Sequence, residues 1–301
     1  MSSRTNIPRI GLGTVQFGID YGISNSAGKV EIAEVKNILS KAADAGLVVI
    51  DTASGYGNSE AVLGESFPPE HNFKIITKTP ACGKPECGND FVKNIDASFS
   101  ASLKNMQQKN VYGILLHHGA DALKPGGKIV LDHLNAYKKR KLCQKVGVSV
   151  YSVKELDGIL DIFTPDIVQL PVNILDQRFI KSGQINKLKK LGVEIHARSL
   201  FLQGALLMDK ASLPNYFSPV KNNFYAIYAE AEKIGISKLD ICLLFALQQD
   251  ELDALLVGVT SWQELSQIFE SFERISAIPK YDFSSLALDD EKYVNPSNWE
   301  V

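Results

Sequence analysis

The chain of 301 residues is 45% hydrophobic and 22% charged with a formal net charge of −2, an ordinary globular composition. That balance lacks the basic face of a nucleic-acid binder, and four scattered cysteines (Cys82, Cys87, Cys143, Cys242) make no disulfide framework. The start, Met1 to Asn6, has no signal-peptide core, and Ile241–Leu247 is far short of a membrane span, so a cytoplasmic protein with reduced thiols is expected.

In chain order, the first apolar run, Arg9–Thr14, reads as a strand and is followed by a long loop, Val15–Val30. Glu31–Asp44 places Ile32, Val35, Leu39 and Ala42 on one helical side, with Gly46 as a stop. Strands Leu47–Asp51 and Lys74–Lys78 come next, then helix Phe91–Met106 and strand Val111–His117. After the loop His118–Lys128, helix Ile129–Lys141 ends on four consecutive cations, a solvated terminus that opposes the helix dipole. The alternation continues through strand Lys145–Ser149, helix Lys154–Ile162, strand Ile167–Pro171, helix Gln184–Leu191 and strand Val193–Arg198. A third long loop, Ser199–Val220, leads to helix Phe224–Ile234. An additional helix, Ser237–Gln249, has Ser237 as its cap and Asp240 at the third helical position. Strand Leu255–Val259 and helix Trp262–Phe272 close the series.

The strands are rich in Val, Ile and Leu without clean polar alternation, as parallel strands covered on both faces should be. Eight β-then-α units without a linker predict an α/β fold, a (β/α)8 TIM barrel in a single domain over 1–301. The barrel runs from about 8 to 273 and a C-terminal tail covers 274–301. The rival, an open doubly wound sheet, needs a Gly-rich turn into a helix, and Gly11-Leu-Gly-Thr14 is not followed by a helical pattern. Long loops and the tail are expected at the catalytic face. With Phe283, Tyr293 and Trp299, the tail either walls a pocket or covers the barrel.

In such a barrel Asp51, Lys78 and His117 end strands two, three and four at one rim, and Tyr56 hangs over them from a Gly-rich turn. A tyrosine is a poor acid at neutral pH, and a nearby lysine cation lowers its pKa. Asp51 would hold Lys78 charged and aimed, and a histidine beside them could orient a substrate oxygen. The set suits proton donation to a carbonyl oxygen gaining negative charge. Singly each residue has a plainer reading: Asp51 a strand-end cap, Tyr56 a turn aromatic, Lys78 a solvated terminus, His117 a core histidine. His118 competes with His117, and strand alternation lets only one face the mouth. Cys82 and Cys87, with four residues between them in a loop, would need further ligands to hold a metal, and the sequence shows none nearby.

Ile10-Gly-Leu-Gly-Thr14, Asp51-Thr-Ala-Ser-Gly-Tyr-Gly-Asn-Ser-Glu60, Ile76-Thr-Lys78 and Gly113-Ile-Leu-Leu-His117 together closely resemble the aldo-keto reductase family. The likeness continues through Val146–Ser149, Val168–Asn173 and Arg198–Gly204, covering most of the chain in order. The stretch Phe17–Asn25 with the Arg198–Gly204 run looks like a bacterial subgroup associated with sugar or polysaccharide metabolism. The resemblance implies a barrel oxidoreductase that reduces an aldehyde or ketone with NADPH or NADH and takes a small-molecule carbonyl substrate. It implies a tetrad of Asp51, Tyr56, Lys78 and His117, with Tyr56 as general acid, and it favours His117 over His118. It also implies cofactor contacts: Gly13 and Thr14 near the nicotinamide ribose, Ser149 and Gln169 on the carboxamide, and Ser199, Leu200 and Gly204 at the pyrophosphate.

Three departures stand out. Val150 replaces an Asn common in the family. Arg198 replaces an aromatic that stacks on the nicotinamide, and would either stack itself or serve as a structural ion-pair partner. At and after the end of the last strand, Gly258, Thr260, Ser261 and Glu264 stand where the many family members that prefer NADPH carry cations that clamp its 2′-phosphate. A carboxylate there repels phosphate and suits a ribose hydroxyl, although the helix start at Ser261 remains anion-friendly. The alternative function is a nicotinamide-binding regulatory protein of the same fold with little turnover. A Schiff-base lyase acting through Lys78 conflicts with Asp51, which keeps that lysine charged.

Overall fold

The computed structural model describes residues 9–300. Eight strands pair in sequence order and in parallel, and β8 closes on β1. In chain order the elements are β1 (Ile10–Gly13), α1 (Val15–Gly18), α2 (Ile32–Asp44), β2 (Val49–Asp51), α3 (Ser59–Ser66), β3 (Lys74–Lys78), α4 (Asn89–Asn105) and β4 (Val111–Leu116). Then come α5 (Gly127–Lys139), β5 (Cys143–Ser149), α6 (Val153–Leu160), β6 (Ile167–Pro171), α7 (Arg178–Lys181), α8 (Gln184–Lys190) and β7 (Glu194–Arg198). The chain ends with α9 (Lys221–Ile234), α10 (Lys238–Leu247), β8 (Ala254–Gly258), α11 (Trp262–Ile275) and α12 (Glu291–Val294). This is the (β/α)8 barrel expected from the alternation, with strand ends displaced by one or two residues.

Strand parity sorts side chains into two layers. Ile50, Ile75, Ile114, Val148, Val168, Ile195 and Leu255 join the large core between strands and helices. Their neighbours Val49, Ile76, Leu115, Ile167, Ala254 and Leu256 form a separate small core inside the barrel. Continuing that inward parity to the strand ends puts Asp51, Lys78, Ser149, Gln169 and Arg198 at the barrel mouth. Val150, the departure from the family pattern, is buried in the outer core by the same parity.

Three features differ from the sequence expectations. Gly13 is followed, after Thr14, by a one-turn helix rather than plain loop. A whole helix, α3, follows the Tyr56 turn; it buries Ser59, Glu60, Val62, Leu63 and Ser66, so it shows no single apolar stripe to read. The segment after β6 holds two short helices, parted by Gly183 in the left-handed region. The tail packs Phe283 on Phe245, Trp299 on Phe217 and Tyr293 on Tyr216, with ring centroids 5.0–5.9 Å apart, and its Leu288 amide donates to Leu175 O. It thus reaches the loops after β6 and β7 at the catalytic end, but lines none of the central cavity. The additional helix α10 starts as expected, with Ser237 and Asp240 in a reciprocal capping box.

Candidate active site

The turn that presents Tyr56 is locked from below. Ser59 Oγ donates to Thr14 O at 2.8 Å and lies 3.2 Å from Thr52 Oγ1, tying α3 to β1 and β2. Gly57 has φ +56°, and a Cβ there would sit 2.5 Å from Gly18 O. The last residue of the motif, Glu60, accepts from Thr77 Oγ1 at 2.6 Å, anchoring α3 to the outer face of β3. The Gly-x-Ser-Glu portion is therefore the support that aims Tyr56.

At the mouth, Lys78 Nζ donates to Asp51 Oδ2 at 2.7 Å, to Thr52 O at 2.9 Å and toward Tyr56 Oη at 3.4 Å. Asp51 and Lys78 are buried. Gln169 Nε2 fills the other carboxylate oxygen, donating to Asp51 Oδ1 at 2.7 Å. The His117 ring meets the Tyr56 ring edge-on at 5.8 Å, and Thr79 Oγ1 accepts the His117 backbone N–H at 3.3 Å. His117 lines the cavity, whereas His118 is exposed and does not.

Electrostatics refine the expected picture. Burial pushes the Lys78 ammonium below the ordinary lysine value, and Asp51 opposes that. For Tyr56 the net displacement is upward, not downward: burial dominates, Asp51 adds to it, and Arg198 counteracts it. The phenol is therefore held protonated, the state a proton donor needs. His117 is pushed down to about 3 by burial, then by its neighbours Lys78, His118 and Arg198, so its imidazole is neutral at physiological pH.

A cavity of about 450 Å³ opens over this group, within the range of cofactor and ligand sites. Gly13, Thr14, Asp51, Tyr56, His117, Ser149 and Gln169 line its inner part; Arg198, Ser199, Leu200, Gly204, Gly258, Thr260 and Glu264 line its flank. Lys78 lies beneath the lining, and Ser261 lies outside it as the N-cap of α11. Ser199, Leu202 and Gln203 have φ of +61°, +49° and +53°, left-handed values uncommon for non-glycine residues and frequent at ligand-binding turns. Gly204 belongs to the same turn: a Cβ there would lie 1.7 Å from Ser24 Oγ.

Arg198 makes no ion pair with a carboxylate among the described residues. Its guanidinium stacks 4.1 Å from the Tyr151 ring centroid and donates to Val150 O at 3.0 Å and Ser199 Oγ at 3.3 Å. Its partners are a ring and neutral oxygens, not the carboxylate that the ion-pair reading called for. Glu264 folds back to accept the Thr260 N–H at 2.6 Å. Glu34 of α2, which the sequence did not single out, accepts the Trp262 N–H at 2.5 Å. Two carboxylates therefore cover the start of α11. Sequence reasoning also missed Gln16, Tyr21, Tyr151 and Gln203 on the cavity wall. Tyr21 lay within a quoted motif and Tyr151 directly follows a strand end, but neither has a spacing that marks it.

A sequence profile of the aldo/keto reductase family matches residues 9–287. The chain belongs to the aldo/keto reductase family. No curated protein sequence matches it. Among solved structures it resembles the holo form of aldo-keto reductase AKR11C1 from Bacillus halodurans, with a TM-score of 0.72, 16% identity, and coverage of 94% of this chain and 93% of that one. An aldo-keto reductase from Pseudomonas aeruginosa superposes with a TM-score of 0.65 at 18% identity, covering 91% of this chain and 95% of that one. The glycerol dehydrogenase AKR11B4 from Gluconobacter oxydans gives a TM-score of 0.64 at 18% identity, covering 91% and 93%. At such identities these likenesses speak to the barrel alone. The family supports an oxidoreductase with general nicotinamide dependence. Among the described residues no helix is long and apolar enough to cross a membrane.

Proposed function

We propose that this protein reduces an aldehyde or ketone to an alcohol, with Tyr56 as the general acid. The observation that carries the reading is the Tyr56 hydroxyl on the cavity floor, 3.4 Å from the ammonium of Lys78 and edge-on to a neutral His117. The nicotinamide cofactor would supply the hydride. The chain's part is to hold a carbonyl oxygen between the His117 imidazole and the Tyr56 phenol, and to move the Tyr56 proton onto that oxygen as it gains charge. Asp51 and Gln169 fix Lys78, so the cation stays beside the phenolate left behind. Loss of one partner from such a buried pair costs about 3–5 kcal/mol.

The cavity walls fit a dinucleotide. Gln16 Oε1 is buried there without a protein partner, and a buried acceptor of this kind calls for a ligand donor or water. A side chain at Gly258 would collide with the Gln16 amide. In this reading Gly13, Thr14, Ser149 and Gln169 hold the nicotinamide end, Arg198 stacks beside it, and Ser199, Leu200 and Gly204 border the pyrophosphate. Gly258, Thr260, Ser261 and Glu264 meet the adenosine end. Glu264 and Glu34 already occupy the N–H groups a 2′-phosphate would seek, which favours NADH over NADPH.

Tyr56→Phe is the direct test. It is expected to reduce turnover of a good aldehyde substrate at least about a thousandfold, near the upper part of what general acid catalysis contributes. Cofactor affinity, read by quenching of protein fluorescence, should stay within about twofold of wild type, because less than about 0.5 kcal/mol of cofactor binding is assigned to that hydroxyl. Near-normal turnover in the variant would remove Tyr56 from the acid role.

A further inference from the structure

The loop from β3 to α4 carries Cys82 and Cys87, and a 3-10 turn over Gly119–Leu123 carries Asp121 directly after His117 and His118. One donor atom from each of Cys82, Cys87 and Asp121 lies within 4.8 Å of the other two. The three residues stand apart from the central cavity and line none of it.

We propose that Cys82, Cys87 and Asp121 bind a thiophilic divalent cation of the Zn²⁺ class, with water as fourth ligand. The donors are already positioned. The Asp121 carboxylate is buried; Lys124 Nζ holds its Oδ1 at 2.7 Å, and the Cys82 N–H donates to its Oδ2 at 2.9 Å. A carboxylate has about four lone-pair positions, so these two contacts leave room for a metal. The Cys87 N–H donates to Pro125 O at 2.7 Å, which clamps the second thiol against the same turn. Cys87 is buried, while Cys82 is half-buried and gives the ion a way in.

Charge balances once the metal is bound: two thiolates, one carboxylate and Lys124 sum to −2, which a divalent ion cancels. Without it the thiols hydrogen-bond to carbonyls, Cys82 Sγ to Glu86 O at 3.2 Å and Cys87 Sγ to Asp121 O at 3.4 Å. Binding would release both thiol protons to solvent and form two metal–sulfur bonds, with no change in oxidation state. Two sulfurs among three protein donors select Zn²⁺ over Mg²⁺ or Ca²⁺ and match a tetrahedral site with one open position. The bound ion would tie the loop that begins at Thr79, which accepts the His117 N–H, to the turn that leaves His118.

The test uses the full chain, fully reduced, stripped of metal with a chelator and titrated with Co²⁺. One equivalent should give sulfur-to-cobalt charge-transfer absorption that Zn²⁺ then abolishes by displacement. Loss of an outer-shell partner already costs about 10–100-fold in metal affinity, so Cys82→Ser and Asp121→Asn should each weaken Co²⁺ binding by about a hundredfold or more. Cys143→Ser, on a separate strand, should change nothing. The proposal is overturned if no charge-transfer band appears, or if the band survives unchanged in Cys82→Ser and Asp121→Asn. It also falls if the reduced thiols ignore Co²⁺ yet pair with each other under a disulfide oxidant.

Discussion

The tetrad differs most from its sequence expectation in the electrostatics of Tyr56. A lysine beside a phenol suggests an acidified tyrosine, but Lys78 is committed to Asp51, and burial holds the phenol protonated. His117 is neutral because burial and neighbouring cations disfavour its charged form. The pH dependence follows from these two directions. A histidine displaced down to about 3 is already deprotonated throughout the working range, and a tyrosine displaced upward stays protonated through it. Turnover in the reductive direction is therefore expected to be flat between about pH 5 and 9. A stopped-flow or steady-state profile showing a limb near pH 6.5 would mean that His117 titrates, and that its imidazolium takes part.

At the level of elements, the proposed cofactor preference rests on the start of α11. Its N-cap Ser261 serves the Glu264 amide, Glu264 turns back onto Thr260, and Glu34 crosses from α2 to Trp262. A phosphate arriving there would meet two carboxylates where the helix dipole alone would welcome it. Glu264→Arg should raise affinity for NADPH relative to NADH by about tenfold, about 1.4 kcal/mol, and Glu34→Gln should add to it. Fluorescence titration of both cofactors against wild type and variants reads this directly. An unchanged ratio would place the adenosine ribose elsewhere. The same element logic explains α3: its buried Ser59 and Glu60 bond to Thr14 and Thr77, so a helix with polar residues on its inner face still packs between strands and Tyr56.

Across the whole molecule, the barrel is closed at its far end by a polar floor. Glu194 of β7 accepts from Tyr112 Oη of β4 at 2.7 Å, is paired with Lys145 of β5, and lies 2.6 Å from His196 Nε2. Burial alone would raise the Glu194 carboxyl, but hydrogen bonds from His196, Lys145 and Tyr112 outweigh it and bring the group down to about 2. A carboxylate whose folded value lies below its unfolded value of about 4.5 contributes stability above that pH and loses it as pH falls toward 2. The melting temperature should therefore fall between about pH 4.5 and 2, and Glu194→Gln should flatten that fall while lowering the melting temperature at pH 7. An acid-melting curve with the wild-type slope in the variant would move the acid sensitivity to other carboxylates.

Local sequence determined the alternation of eight strands with helices, the Ser237–Asp240 cap and the strand ends that carry Asp51, Lys78 and His117. Each rests on periodicity or capping, which neighbours in the chain control. The Gly-rich turn already pointed to Tyr56, and the resemblance added the expected cofactor contacts. Tertiary structure alone decided the rest, because those contacts join residues far apart in sequence. Glu34 meets Trp262 where β8 closes on β1, Asp121 lies beside the cysteine pair, Arg198 finds Tyr151 rather than a carboxylate, and the tail packs on the loop after β7. The upward displacement of Tyr56 belongs with them: it arises from burial, which exists only once eight strands have closed around the site.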